Sequence, residues 1–149
     1  MHLLAKLDMP NFSDFTLDQE DRTTGLATAL TFTLNGFYNH PHLDTHDATD
    51  FAFLLSIPIR KSDGHIVSQS LGYNCSDGQF VFPHHQALVD FNKLDGICTM
   101  VWDAKEYHHC TLPPQKSDQF TRLTMSLQIS KRTCALFQIL SDGKIKNLP

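Results

Sequence analysis

No Cys-x-x-Cys pair occurs in this chain; its four cysteines stand apart at 75, 98, 110 and 134. A zinc site built on cysteines is thereby excluded as the organising element. Spacing alone leaves a disulfide open, but reduced thiols in an intracellular protein are the expectation. Basic residues are in short supply as well. Twelve Lys and Arg face sixteen Asp and Glu, a formal charge of −4. No basic field draws in nucleic acid, so any such contact has to be a local patch. Long apolar runs are also missing. No stretch approaches the roughly 20 apolar residues of a membrane span. The apolar opening is broken by Lys6 and Asp8, too early for a signal peptide. There is no internal repeat, linker or low-complexity tract.

What is present is the composition of one globular domain, with 149 residues of which 41% are hydrophobic. A chain of that length can bury a core without cross-links. Residues 1–25 have no clean period and read as an irregular lead-in; residues 26–149 read as the folded domain. Strand signals dominate there. Leu30, Phe32 and Leu34 alternate with Thr31 and Thr33, the period-2 pattern of a half-buried strand. Residues 51–59 are apolar on both faces and predict a central strand ending at Pro58. Asp63-Gly64 and Asp77-Gly78 are turn pairs suited to positive φ. Short strands are predicted at 65–68, 79–82, 87–91, 97–102 and around 108–109. Residues 120–130 alternate Arg122, Thr124, Ser126 and Gln128 with Leu123, Met125, Leu127 and Ile129. Residues 133–140 suit either a helix or a strand. Eight or so short strands with Gly/Pro turns indicate a mainly β fold, a sandwich or jelly roll of the double-stranded β-helix kind with few short helices.

The chemistry concentrates at residues 38–47, where three His and two Asp follow the first strand. In His42-Leu43-Asp44 the two polar side chains are two positions apart. On extended backbone they share a face. That is two-thirds of a 2-His-1-carboxylate triad, which holds Fe(II) and leaves positions open. The third ligand must come from a later strand returning beside the first. The segment 107–111, with His108 and His109 as the two candidates, fits that demand. His84-His85 follows Pro83 in a turn and reads as structural, as do Trp102, Phe80 and Phe82. Two neutral imidazoles and one carboxylate leave a ferrous site near +1, suited to a dianionic oxoacid co-substrate. The far carboxylate of such a molecule needs a cation. Arg122 offers a planar fork at the start of the polar strand face, and the Thr124 hydroxyl can add a hydrogen bond.

His-x-Asp, a distant His and then Arg-x-Thr resemble the pattern of the Fe(II)/2-oxoglutarate dioxygenases. More specifically, His40-Pro41-His42-Leu43-Asp44-Thr45-His46-Asp47 resembles the His-Pro-His-Arg-Asp-x-His-Asn stretch of TET/JBP nucleobase dioxygenases. Residues 102–111 are similar to the distal-His segment of fungal TET-like proteins, with Trp102 seven positions before His109 and Thr111 two after it. The similarity covers roughly residues 26–130. It implies that His42, Asp44 and His109 hold Fe(2+), and that Arg122 and Thr124 hold 2-oxoglutarate. It further implies oxidation of 5-methylcytosine in DNA with O2, in the nucleus, with His46 and Asp47 facing the base. The resemblance departs at Leu43 and Asp47, where the family has Arg and Asn. The chain is short for a complete catalytic domain of this kind and lacks the Cys-rich zinc region of animal TET proteins. Two other readings stay open. One is an oxygenase of the same chemistry acting on a protein or small molecule. The other is an inactive β-sandwich binding module.

Overall fold

The computed structural model of the chain describes residues 29–143; the expected lead-in, residues 1–25, lies outside them. The described chain is mainly β, as the alternation predicts. Its strands are β1 (Ala29–Thr33), β2 (Phe51–Arg60), β3 (Phe80–Phe82), β4 (Ala87–Val89), β5 (Cys98–Asp103), β6 (Cys110–Thr111) and β7 (Phe120–Gln128). Among the described residues one α-helix, α1, spans Lys131–Ser141. The strands form a four-stranded sheet in the order β1-β7-β2-β5 and a three-stranded sheet in the order β4-β3-β6. The pairs β2–β5, β3–β4 and β3–β6 are antiparallel, as a jelly-roll-like architecture requires. Residues 31–45 and 50–126 form one compact unit; residues 29–30, 46–49 and 127–143 belong to a second.

In the larger unit β2 is central, between β7 and β5. Its burial alternates: Ala52, Leu54 and Ser56 are buried while Phe51 is exposed. Ala52 and Leu54 meet Trp102 of β5, Ala104, Phe91 and Phe80 of β3 in one core cluster. The inner faces of the two sheets therefore pack against each other there. Burying each large apolar side chain contributes roughly 1.5–3 kcal/mol, so Phe80, Phe91 and Trp102 anchor that contact. A second cluster joins Val67, Tyr73 and Cys75 to Phe120 of β7.

Three local expectations change. Strand β2 does not stop at Pro58 but runs to Arg60. The ladder with β5 ends at Ser56–Cys98, so the missing N–H of Pro58 leaves no gap in it. The Pro58 carbonyl instead accepts the Val67 N–H at 3.0 Å. Residues 65–68 are not a strand. They make a single bridge, Ile59 with Ile66, before a 3-10 turn at Gln69–Leu71. Residues 133–140 resolve as helix. Ser130 supplies the reason, since its Oγ accepts the Thr133 N–H at 3.1 Å and satisfies an amide that the first turn leaves free.

Gly78, at the Asp-Gly turn before β3, has φ +69°. A Cβ there would lie 2.9 Å from the Pro114 Cβ, and it would also strike the Arg122 guanidinium. Gly78→Ala is expected to destabilise the fold by about 1–3 kcal/mol, because strain and a backbone-fixed clash add. Urea denaturation checks this; a midpoint equal to that of the parent chain would refute it.

In the smaller unit the Ala48 N–H reaches the Ile129 carbonyl at 2.6 Å, and the Lys131 N–H reaches the His46 carbonyl at 2.9 Å. Ile129 packs on Ala48 and Cys134. His46 is exposed, whereas Asp47 is buried, with its backbone bridged to Ser130.

Candidate metal centre

A short ladder places the chemistry. The His42 N–H donates to the His109 carbonyl and the His109 N–H donates to the His42 carbonyl, each at 3.0 Å. The two residues are thus a hydrogen-bonded antiparallel pair. Residues directly opposite in such a pair point to one face, and so does a residue two further along. Asp44 meets that condition, and its N–H to the Ala104 carbonyl, 2.8 Å, holds the strand down. Backbone pairing across sixty-seven positions therefore delivers two imidazoles and a carboxylate to one spot.

The ligand atoms of His42, Asp44 and His109 all lie within 4.8 Å of one another. His42 Nε2 is 3.4 Å from one Asp44 carboxylate oxygen, and His109 Nε2 is 3.6 Å from the other. The two rings are 4.4 Å apart at 51°. Each imidazole is aimed by the carbonyl two residues before it. His42 Nδ1 donates to the His40 carbonyl at 2.8 Å, and His109 Nδ1 to the Tyr107 carbonyl at 2.9 Å. A carbonyl can only accept, so Nδ1 carries the proton and Nε2 keeps its lone pair facing Asp44. Outer partners of this kind fix metal-binding histidines. The donor set, two neutral nitrogens and one anionic oxygen with room for other ligands, suits Fe(II).

Burial differs across the cluster. His109 is 3% exposed, with Phe80 stacked on it at 5.6 Å and Trp102 edge-on at 5.1 Å. His42 is more open, and Asp44 lies between. Core aromatics thus wall one side of the cluster and the other meets solvent. His108 turns away to lie 4.4 Å from His84, and His85 meets Tyr107 at 4.7 Å. Cys110, next to His109, is buried, and burial pushes its thiol up, away from the thiolate a metal takes. All four cysteines are free.

Arg122 does not point into bulk water. One guanidinium nitrogen, Nη2, donates to the Gly78 carbonyl at 2.6 Å, and the group lies 4.8 Å over the Phe91 ring. The other terminal nitrogen, Nη1, is buried with no hydrogen-bond partner. Burial pushes the Arg122 pKa down, opposed by Tyr73, Cys75 and Asp90, yet an arginine keeps its charge in proteins. A buried, charged and unpaired N–H is costly to leave so, and a carboxylate would satisfy it. Thr124 shares this strand face and is partly buried. The residues present therefore fit both a ferrous ion and a dicarboxylate. Sequence reasoning missed Tyr73, Gly78 and Phe91 as the surroundings of Arg122, because the Asp77-Gly78 pair signals only a turn.

No curated protein sequence matches the chain. A family model does match, over residues 1–114, a span that holds His42, Asp44 and His109 and stops before β7. With most of its length matched, the chain belongs to the Tet-like 2OG-Fe(II) oxygenase superfamily.

Proposed function

We propose that the protein is an Fe(II)- and 2-oxoglutarate-dependent dioxygenase that oxidises 5-methylcytosine in DNA. The observation that carries this reading is the convergence of His42, Asp44 and His109, with ligand atoms within 4.8 Å, in a chain of that superfamily. These three residues hold the iron. Arg122 and Thr124 hold the distal carboxylate of 2-oxoglutarate; they lie beyond the matched residues, and the buried, unpaired Nη1 of Arg122 supports their role. Iron, when bound, couples O2 and 2-oxoglutarate decarboxylation to oxidation of a C–H bond.

The chain's own residues supply the rest. The His40 and Tyr107 carbonyls keep both Nε2 atoms available. Asp44 offsets one charge of the metal, and Phe80 with Trp102 keeps water from His109. His46 and Asp47, two and three positions past Asp44, are assigned to the nucleobase, because a carboxylate accepts a hydrogen bond from the cytosine amino group. The base has to leave the duplex stack to react. With DNA as substrate the protein works in the nucleus.

Succinate release, measured with methylated DNA, unmethylated DNA and a panel of peptides and small molecules, tests the reading. Release coupled to loss of 5-methylcytosine is the expected result. Coupling to another substrate would replace the DNA assignment, and no iron-dependent release under any condition would leave a binding module.

A further inference from the structure

We infer that Tyr73 is a second donor, beside Arg122, for the distal carboxylate of the co-substrate, so that the pair selects a dicarboxylic oxoacid. This rests on the oxygenase reading above. Among the described residues, the buried side-chain polar atoms without a hydrogen bond are the Tyr73 hydroxyl, Asn92 Oδ1, Trp102 Nε1 and Arg122 Nη1. Asn92 Oδ1 is an acceptor and cannot serve an anion, and the Trp102 ring lies against His109. The remaining two are donors on one inner patch. Phe120 and Arg122, two apart on β7, share a face. The Tyr73 ring stands edge-on to Phe120, 5.8 Å away at 71°.

Tyr73 is 6% exposed, and its polar neighbour is the Cys75 thiol, a weak acceptor. Burial pushes the phenol up, with Cys75 adding to the effect, so the hydroxyl keeps its proton and can donate. Arg122 is held from two sides, by the Gly78 carbonyl and the Phe91 ring, with Nη1 left free. Burying two adjacent donors unpaired is unfavourable for an empty fold. A carboxylate removes both penalties, since it has two oxygens and acceptor sites to spare. One oxygen takes the guanidinium N–H and the other takes the phenol O–H.

The test is calorimetric titration of the Mn2+-loaded protein with 2-oxoglutarate and with 2-oxobutyrate, which lacks the distal carboxylate. Tyr73→Phe keeps the ring on Phe120 and removes only the hydroxyl. It is expected to weaken 2-oxoglutarate about 10-fold, as for a lost hydrogen bond to a charged group, and to leave 2-oxobutyrate unchanged. Equal 2-oxoglutarate affinity in the variant and the parent overturns the inference. So does equal weakening of both acids, which marks a packing role. A parent chain that binds no 2-oxoglutarate overturns the oxygenase reading itself, a result distinct from the other two.

Discussion

Asp44→Ala is expected to weaken divalent-metal binding by more than about 100-fold while leaving the fold in place. Asp44 is the one anion in the cluster, with a carboxylate oxygen 3.4 Å from His42 Nε2 and another 3.6 Å from His109 Nε2. Without it, two neutral imidazoles face a dication with nothing to offset its charge. Loss of a mere outer partner already costs roughly 10–100-fold in metal affinity, so loss of a ligand must cost more. The fold survives because the Asp44 contribution to the ladder is its N–H to the Ala104 carbonyl, which alanine retains. Titration with Mn2+, read by the resonance of the free ion, gives the affinity, and thermal melting reports the fold. A variant that binds Mn2+ within tenfold of the parent would move the metal away from these residues.

The second large effect is at Arg122. Arg122→Met is expected to reduce 2-oxoglutarate affinity by about 30-fold or more. Truncating one partner of a buried charge pair costs on the order of 2–5 kcal/mol, and each 1.4 kcal/mol is tenfold. The stability of the ligand-free protein should barely move, with Tm shifting by less than about 4 °C. Methionine fills the space over Phe91 and removes the unpaired Nη1, while the Gly78 carbonyl loses its donor. The two changes oppose each other, and apolar replacement of buried charge is often neutral. A structural arginine would give the reverse pattern, a large loss of stability with ligand binding intact. Calorimetry with 2-oxoglutarate and a melting curve on one sample separate the two.

Much of this site was legible in the sequence for a simple reason. The period of a strand puts His42 and Asp44 on one face whatever their partner. The helix α1 stayed open in the sequence, because the short apolar run at 133–140 suits either structure; the Ser130 Oγ that accepts the Thr133 N–H shows only in the fold. Pro58 misled because proline disfavours strands only where its absent N–H is needed, and need depends on where the β5 ladder ends. Residues 65–68 carry strand-forming side chains but find one bridging partner, and a strand exists only by its partner.

The sequence by itself determined that the chain is mainly β, where the Asp-Gly turns fall, and which residue types stand two apart on a face, since these follow from local geometry. Only the tertiary structure decided that His109 meets His42 while His108 meets His84. Those two neighbours differ by a single position, and register, which sets the face, is fixed by the paired strand. It also decided that Arg122 lies against Gly78 and Phe91 with one nitrogen unpaired. Burial of that nitrogen depends on residues thirty to forty-four positions away, which no local pattern encodes.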